Sequence, residues 1–181
     1  MRVTGGSARG RRLKTPGQGV RPTADRVREA IFNTLEAQGV SLDRVLDVYA
    51  GSGALGIEAL SRGAGHCDFV ERNEASAAII RENLAMTGLE ERARVHRMKA
   101  EQAAGRLSGP YTLILADPPY EDGQAQEALA SIAEAVGVAS TLVFEHSSRR
   151  EAPGAIGPLG LAWSRKYGDT QLSIYRGEAS S

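Results

Sequence analysis

The stretch that decides the fold is VLDVYAGSGALG, residues 45–56. Its first five residues are apolar except for Asp47, as expected of a buried strand, and Gly51 to Gly56 match the pattern G-x-G-x-x-G. We predict a helix from this turn onward, at residues 54–62. A strand, a glycine-rich turn and a helix in this order predict an α/β sheet that binds a nucleoside-like ligand at the strand's carboxyl end. Glycine is needed there because a side chain would block the ligand.

Strand and helix patterns alternate on both sides of this unit. We predict strands at 45–49, 67–71, 95–98, 111–116, 141–145, 160–166 and 171–176, and helices at 24–38, 54–62, 74–87, 99–106 and 124–136. Only four residues separate the last two strands, which is too short for a parallel crossover, so these strands should pair antiparallel. The sequence therefore predicts an α/β fold with a doubly wound, seven-stranded, mostly parallel sheet and an antiparallel C-terminal edge.

Two acidic residues narrow the choice of ligand. Glu71 follows Gly51 by 20 residues at the end of the next predicted strand, where a carboxylate can accept hydrogen bonds from the two hydroxyls of a ribose. Asp47 lies four residues before Gly51 and faces the same site, where its charge suits a cationic group. S-adenosylmethionine carries an ammonium and a sulfonium, whereas NAD carries a pyrophosphate that this carboxylate would repel. Glu71 fits either cofactor as part of a dinucleotide-type pattern, and Asp47 favours S-adenosylmethionine.

The second motif is Asp117-Pro118-Pro119-Tyr120, which follows the fourth predicted strand. In a doubly wound sheet this strand end lies beside the first strand, at the switch point where ligands bind. The two prolines stiffen the loop and leave their carbonyls as acceptors. Asp117 and the Pro118 carbonyl can each accept one N–H of an exocyclic amine, while Tyr120 offers a ring for stacking on an extruded base. The motif predicts methylation of a base amine, promoted mainly by positioning.

Positive charge is concentrated near the N-terminus. The chain has 22 basic and 22 acidic residues, but residues 1–30 contain eight basic and two acidic ones. A solvated terminus is one interpretation of such a run; contact with a polyanion is the other. We predict that residues 1–22 form a loose basic hairpin or arm beside a domain at 23–181. The residues predicted to bind RNA are Arg9, Arg11, Arg12, Lys14, Arg21 and Arg26.

Composition excludes several other classes. At 181 residues, with 41% apolar and 24% charged residues, the chain has the length and composition of one globular domain. A single cysteine, Cys67, excludes an intramolecular disulfide, and the three histidines have no zinc-site spacing, so we expect no metal. The sequence has no apolar run of membrane-spanning length and no secretory leader, so we expect a cytoplasmic protein that acts as a monomer without membrane partners.

These motifs give the sequence a resemblance to a known family. It resembles the class I S-adenosylmethionine-dependent methyltransferases and, more narrowly, the RsmD family of bacterial ribosomal RNA guanine-N2-methyltransferases, over nearly its whole length. Besides the two motifs above, the resemblance is carried by Gly5-Gly6, residues 21–30 (RPTADRVREA), Phe32-Asn33 and residues 166–170 (KYGDT). It implies methyl transfer to the exocyclic N2 of one guanine in small-subunit (16S) ribosomal RNA, with an assembled subunit particle as a better substrate than naked RNA.

The resemblance also implies which residues form the site. Those that would surround the methionine part of S-adenosylmethionine are Asp47, Ala50, Gly51 and Gly53. Those that would contact its ribose and adenine are Glu71, Arg72, Ala100 and Glu101. Those that would hold the target guanine are Asp117, Pro118 and Tyr120. Arg26, Phe32 and Asn33 would lie near the mouth of the site, and we count Asn33 with the cofactor-binding residues.

Two of these positions also have a simpler interpretation. Phe32 lies at helical spacing from other apolar residues, so it also fits an ordinary core position. Tyr167-Gly168 also fits a plain hairpin turn between the last two predicted strands.

The main alternative is a DNA adenine-N6 methyltransferase, which shares the Asp-Pro-Pro-Tyr chemistry. Such enzymes usually contain an inserted recognition domain, for which this chain has no room. An NAD-dependent oxidoreductase would need a substrate domain, and only about 43 residues precede the predicted sheet. A protein glutamine methyltransferase more often has Asn in place of Asp117, and a non-catalytic RNA-binding module needs neither Asp117 nor Glu71. We therefore favour an RNA methyltransferase.

Overall fold

The strand–turn–helix unit lies within one eight-stranded sheet in the computed structural model, which describes residues 1–17, 22–119, 123–136 and 141–177. The strands are β1 Arg44–Val48, β2 His66–Glu71, β3 Ala93–Arg97, β4 Leu113–Ala116, β5 Thr141–Ser147, β6 Ala155–Ile156, β7 Leu159–Tyr167 and β8 Thr170–Arg176. The helices are α1 Pro22–Ala37, α2 Ala54–Ser61, α3 Glu74–Thr87 and α4 Ala125–Val136, with short 3₁₀ turns at Glu90–Arg92 and Ala100–Gln102.

The order of strands across the sheet is β3-β2-β1-β4-β5-β8-β7-β6. The first five strands of the chain pair in parallel, and β8, β7 and β6 continue the sheet antiparallel. The predicted doubly wound sheet with an antiparallel C-terminal edge is therefore confirmed. The predicted number of seven strands is wrong, because the two-residue strand β6 adds an eighth at the edge. Pro153, Gly154 and Gly157 surround this strand, so no apolar run marks it in the sequence.

Side chains of the central strands alternate between two apolar layers. In β4, Leu113 and Leu115 belong to the layer under α1, α2 and α3, whereas Ile114 and Ala116 belong to the layer under α4. This alternation is the period of two expected of a strand that is buried on both faces. Because β1 lies between β2 and β4, the switch point of the doubly wound sheet falls at the carboxyl end of β1.

One predicted helix is wrong. Residues 99–106 contain only the 3₁₀ turn Ala100–Gln102, followed by further turns. Gly105 is unfavourable in a helix and Gly109-Pro110 follows soon after, so too few residues remain to offset the cost of nucleating an α-helix. The other predicted helices and strands are confirmed, with ends that differ by at most two residues.

Residues 1–17 form an arm that is packed against the domain. Arg2 and Arg12 form an antiparallel bridge, as in a hairpin. The apolar side chains of the arm lie in the same core layer as α1, α2 and α3; they are Val3, Ala8 and Leu13. The expectation of a loose arm is therefore wrong, since burial of these side chains holds the segment in place.

Polar contacts also join the arm to α2. The backbone N–H groups of Thr4 and Gly5 both donate to the carboxylate of Glu58, at 2.8 Å each. Gly6 has a φ of 75°, and a Cβ at this position would clash with the backbone carbonyl of Ser61. Glycine therefore allows the arm to approach the end of α2 closely, which explains Gly5-Gly6 in structural terms.

Candidate active site

A cavity of about 940 Å³ opens at the carboxyl ends of β1, β2, β4 and β5. Residues of the arm and of α1 form one wall, and the turn between β7 and β8 forms another. The strand ends contribute four acidic residues to the lining, which are Asp47, Glu71, Asp117 and Glu145. The cavity thus lies at the switch point that the sequence predicted, with a strongly acidic floor.

The glycine turn reaches this cavity because its backbone adopts conformations that other residues rarely take. Gly51 and Gly53 have φ values of 55° and 77°. Gly53 caps the N-terminus of α2, and its N–H donates to the carbonyl oxygen of Ala50 at 2.7 Å. A Cβ on Gly56 would overlap the ring of Phe69, so this glycine allows α2 to pack closely on β2. The three glycines therefore have distinct roles, and Gly51 lies on the cavity wall.

Asp47 is a buried acceptor at the centre of the site. It is 1% exposed, and its Oδ2 accepts a hydrogen bond from the Gly56 N–H at 2.8 Å. Its Oδ1 is buried and has no partner among the described residues. Burial, together with the negative charges of Asp117 and Glu71, raises the pKa of Asp47 well above its ordinary value, although the Gly56 N–H partly opposes the shift. A cationic ligand would relieve this cost.

Glu71 is held in a fixed direction by backbone groups. Its Oε2 accepts from the Gly51 N–H at 2.8 Å, and its Oε1 accepts from the Asn73 N–H at 2.7 Å. Each carboxylate oxygen can accept a second hydrogen bond, so Glu71 keeps capacity for ligand hydroxyls. This geometry fits the role that the spacing from Gly51 predicted.

The residues predicted to flank the adenine also line the cavity. Arg72 follows Glu71 at the end of β2, and Ala100 and Glu101 belong to the 3₁₀ turn after β3. Ala50 lines the cavity too, whereas Gly53 lies just behind the wall as the cap of α2.

Asp117 and Pro118 follow β4 directly and line the cavity beside β1. The carboxylate of Asp117 is accessible from the cleft, but the surrounding protein limits its hydration, and this desolvation raises its pKa to about 6. Tyr120, the predicted stacking residue, lies outside the described residues. The Asp-Pro-Pro segment therefore brings a poorly solvated acceptor to the same cavity as the glycine turn.

Glu145 on β5 belongs to the site, although sequence reasoning did not select it. It lines the cavity beside Asp117, and burial together with the charge of Asp117 raises its pKa to about 8. The sequence did contain a signal for this residue, because Glu145 ends the mainly apolar run Thr141-Leu142-Val143-Phe144-Glu145. The strand that contains this run is predicted to lie beside the strand that precedes Asp117.

Asn33 and Phe32 are not at the cavity. Asn33 is exposed on α1, and its Oδ1 accepts a hydrogen bond from Arg62 Nη1 at 3.3 Å. Phe32 is 2% exposed in the core, with the Arg62 guanidinium 5.3 Å from the centre of its ring. The geometry therefore separates Asn33 from the cofactor-binding residues, because the face of α1 that lines the cavity carries Val27, Arg28 and Ile31 instead.

Most of the residues predicted to bind RNA are exposed. Arg9, Arg11 and Arg12 are exposed on the arm, and Arg26 is exposed on α1. Lys14 is also exposed, and its Nζ forms an ion pair with Glu82 Oε2 at 2.8 Å. Arg21 lies outside the described residues.

Arg28, one of the basic residues of the N-terminal region, has a structural role instead. It is 3% exposed, and its Nε lies 3.1 Å from Oε2 of the fully buried Glu58. Its Nη2 donates to Asp25 Oδ1 at 2.9 Å and to the carbonyl of Arg2. Burial alone would raise the pKa of Glu58, but hydrogen bonds from Thr4 and Arg62 and the charge of Arg28 outweigh it and hold that pKa below its ordinary value. Arg28 therefore joins the arm, α1 and α2.

The single cysteine of the chain lies away from the cavity. Cys67 is fully buried in β2, and burial chiefly raises the pKa of its thiol, as expected of an unreactive core cysteine. Within the described ranges, no group of three His, Cys, Asp or Glu residues is arranged to hold a metal ion. The helices seen in those ranges are also too short or too polar to cross a membrane.

A doubly wound sheet that brings a glycine turn, a ribose-type acid and an Asp-Pro-Pro segment to one cavity defines the class of Rossmann-like methyltransferases. The family model described as "Conserved hypothetical protein 95" matches residues 1–176, and the chain belongs to this family.

Named relatives and solved structures agree with this class. The chain is 39% identical to YlbH of Bacillus subtilis (strain 168), provisionally named an rRNA methyltransferase, over 97% of this chain and 98% of that protein. It is 40% identical to Ribosomal RNA small subunit methyltransferase D of Escherichia coli (strain K12) over 71% of this chain and 65% of that protein. A solved structure of yhhF from Escherichia coli, provisionally titled a methyltransferase, has a TM-score of 0.86 and 30% identity, covering 99% of both chains. The chain is therefore a methyltransferase of this family.

Proposed function

We propose that the protein transfers a methyl group from S-adenosylmethionine to the exocyclic N2 of a guanine in small-subunit ribosomal RNA, with the assembled subunit particle as its preferred substrate. The observation that carries this proposal is that Asp117 and Pro118 share one cavity with Asp47 and Glu71. Asp117 and Pro118 suit an amine, whereas Asp47 and Glu71 suit a cationic nucleoside. The name of the Escherichia coli relative, Ribosomal RNA small subunit methyltransferase D, supports ribosomal RNA as the substrate.

The residues around the glycine turn fit S-adenosylmethionine. The buried Oδ1 of Asp47 has no partner among the described residues, and an ammonium group would supply the missing donor. Gly51 leaves open space on the side where a side chain would project, because the nearest atom to a Cβ placed there, outside the adjoining residues, is 3.9 Å away. Glu71 is already oriented by two backbone N–H groups and can accept from ribose hydroxyls. Arg72, Ala100 and Glu101 would flank the adenine.

The chemistry at Asp117 follows from the properties of the amine. S-adenosylmethionine, when bound, supplies an electrophilic methyl group on a sulfonium sulfur. The lone pair of an exocyclic amine is delocalised into the base, so the protein must contribute orientation and local electrostatics. In our proposal Asp117 and the Pro118 carbonyl accept the two N–H groups and direct the lone pair toward the methyl carbon, while Tyr120 stacks on the base.

In this proposal Asp117 also accepts the proton that the amine releases. As the N–C bond forms and the S–C bond breaks, the nitrogen must lose one proton and the sulfonium becomes a neutral thioether. A carboxylate that accepts a hydrogen bond from the amine is the nearest base for that proton. Limited hydration raises the pKa of Asp117 to about 6, so it is a better proton acceptor than a fully solvated aspartate while remaining mostly ionised at pH 7.

The arm provides a surface for RNA phosphates. Exposed arginines Arg9, Arg11 and Arg12 lie on a segment that is fixed to the domain, and its last described residues, Thr15 to Gly17, line the cavity. Phosphate contacts position a protein on RNA without reading its sequence. We therefore propose that these arginines, with Lys14, Arg21 and Arg26, dock the chain on the shape of the ribosomal particle, which supplies the specificity that a small domain cannot.

The test uses isotope-labelled S-adenosylmethionine. The protein is offered unmodified small ribosomal subunits, naked small-subunit RNA and duplex DNA in parallel, and each product is digested to nucleosides. We expect labelled N2-methylguanosine from the ribosomal substrates, with faster transfer to the particle.

Each other outcome overturns a separate part of the proposal. N6-methyladenine from DNA would establish the alternative DNA adenine methyltransferase. Faster transfer to naked RNA than to the particle would remove the assembled subunit as the preferred substrate. Absence of label everywhere, with intact binding of S-adenosylmethionine, would contradict the substrate assignment.

A further inference from the structure

Two acidic residues line the cavity near the carboxyl ends of the neighbouring strands β4 and β5. Leu115 of β4 and Val143 of β5 are register partners, and both face the core layer under α1, α2 and α3. Asp117 follows Leu115 by two residues, just past the end of β4, and Glu145 follows Val143 by two residues within β5; both line the cavity. Both residues lie at the same edge of the sheet, and the charge of Asp117 acts on Glu145.

Three basic side chains line the described part of the cavity, Arg28, Arg72 and Lys99, and none of them forms an ion pair with Asp117 or Glu145. Arg28 lines the same cavity, but its guanidinium is used by Glu58, Asp25 and a backbone carbonyl. Ion pairs of Glu145 or Asp117 with described basic residues are absent. Two neighbouring acids of limited hydration are costly unless a ligand supplies donors for both. Two acids at one edge of the cavity are thus complementary to a ligand with two adjacent N–H groups.

Among the bases, guanine has this pattern. Its N1–H and its 2-amino group are neighbouring donors on the Watson–Crick edge. Adenine and cytosine also carry an exocyclic amine on this edge, but the ring nitrogen beside that amine is an acceptor, which would face a carboxylate unfavourably. Two carboxylates in a row are therefore complementary to guanine and not to adenine or cytosine.

We propose that Glu145 selects guanine: its carboxylate accepts the N1–H of the target base while Asp117 accepts an N–H of the adjacent 2-amino group. The inference rests on the proposed function and deepens it, because it assigns the choice of base to a residue that the Asp-Pro-Pro-Tyr motif does not contain. Glu145 is thus a specificity-determining residue, and the amine itself remains held by Asp117.

Selection by Glu145 should depend on pH. The other ionisable or charged side chains that line the cavity lie on several elements; they are Arg28, Asp47, Tyr49, Glu71, Arg72, Lys99, Glu101, Asp117, Tyr167 and Asp169. The ionised form of Glu145 can only accept, whereas its protonated form can also donate to a ring nitrogen. Burial together with the charge of Asp117 raises the pKa of Glu145 to about 8. Preference for guanine should therefore increase as the pH rises through about 8, because the protonated acid present at lower pH would tolerate a ring acceptor.

The experiment compares guanine with 2-aminopurine at the methylated position, once that position is located by the labelling assay. 2-Aminopurine keeps the 2-amino group but has an acceptor at N1. Small subunits reconstituted with either RNA are methylated by the wild type, by Glu145→Gln and by the matched control Glu151→Gln, an exposed acid shortly after β5 that does not line the cavity. The readout is the ratio of kcat/KM for guanine to that for 2-aminopurine, across pH.

We expect the wild type and Glu151→Gln to prefer guanine by about 10- to 100-fold, with a preference that rises with pH. Glu145→Gln should lose most of this preference and its pH dependence, because an amide can either donate or accept. The missing O6 of 2-aminopurine affects all three proteins, so comparison between them isolates the N1 contact.

An unchanged ratio in a folded Glu145→Gln variant would overturn the inference, and so would a wild-type ratio that does not vary with pH. The wild-type pH series needs no variant, so it decides the matter even if Glu145→Gln folds poorly. Failure of the wild type to methylate any guanine at N2 would instead contradict the proposed function itself, which keeps the two failures distinguishable.

Discussion

The backbone N–H of Gly51 donates to Oε2 of Glu71 at 2.8 Å, which joins the first glycine of the turn to an acid 20 residues further along the chain. The contact ties the end of β1 to the end of β2, and the Asn73 N–H holds the second oxygen of the same carboxylate at 2.7 Å. Glu71 therefore points into the cavity in one fixed direction. Such preorganisation reduces the ordering cost when a ligand binds.

Replacing Glu71 should weaken cofactor binding. We expect Glu71→Ala to lose about 1.5–3 kcal/mol of binding free energy for S-adenosylmethionine, as is typical when hydrogen bonds to a charged group are removed. Isothermal titration measures this directly. The matched control is Glu74→Ala, which removes an acid that pairs with Arg97 outside the cavity. Equal losses in the two variants would mean that Glu71 acts only through general charge.

Asp47 should contribute to binding at the expense of stability. Its pKa is raised in the folded protein, so the folded chain binds this proton more tightly than the unfolded chain, and the free energy of unfolding falls as pH rises between the two pKa values. The substitution Asp47→Asn removes this pH-dependent decrease in the free energy of unfolding. The asparagine side chain can still accept a hydrogen bond from the Gly56 N–H. We expect the variant to have a higher Tm than the wild type at pH 7, a smaller difference in acid, and weaker binding of S-adenosylmethionine.

Thermal unfolding across pH and cofactor titration check the two halves of this prediction. A lower Tm for Asp47→Asn at pH 7 would show that the buried carboxylate stabilises the fold. Unchanged affinity would show that Asp47 does not face the cationic part of the cofactor.

Local sequence was sufficient to predict the glycine turn and Asp117, because each motif creates its own geometry. A left-handed backbone at Gly51 and Gly53 and a proline-stiffened loop after β4 depend on only a few neighbouring residues. Glu145 was missed for the opposite reason: its role depends on which strand lies beside β5 and on the register between them. The alternation of side chains along a strand shows which residues share a face of the sheet. It does not show which strand or helix lies next to that face.

The ion pair between Arg28 and Glu58 should be important for stability. Removing a buried partner leaves the other charge with fewer compensating contacts, so we expect Arg28→Ala to lower the free energy of unfolding by about 3 kcal/mol. Arg26→Ala, on the exposed face of the same helix, should change it by about 0.5 kcal/mol or less. Urea unfolding gives both values. Similar small effects would mean that the arm and α1 do not depend on this contact.

Arg28 also shows why charge counts overstate the proposed RNA-binding surface. It adds to the positive charge of the N-terminal region in the sequence, yet its side chain is buried against an acid from α2. Asn33 was predicted to bind the cofactor, but it lies on a face of α1 other than the one that lines the cavity. Helical spacing gave the correct helix, but the rotation of α1 about its axis is set by packing against α2 and the arm.

The arm arginines should govern the salt dependence of RNA binding. We expect Arg11→Ala with Arg12→Ala to weaken binding to small-subunit RNA and to lower the slope of log K against log salt by about one to two, the contribution of two phosphate contacts. The control double variant Arg94→Ala with Arg106→Ala removes two exposed arginines outside the arm. Binding titrations at several salt concentrations separate the two. An equal decrease in slope for both double variants would argue against a dedicated RNA surface on the arm.

Asp117 tests the proposed chemistry most directly, through the single-turnover rate of methyl transfer by Asp117→Ala beside its affinity for S-adenosylmethionine. Asp117 is proposed to hold the amine and not the methionine or ribose of the cofactor. We therefore expect affinity to stay within about twofold of the wild type, while the transfer rate to small ribosomal subunits falls by about 100-fold or more. Transfer at the wild-type rate, or loss of cofactor binding in step with the rate, would contradict the role proposed for Asp117.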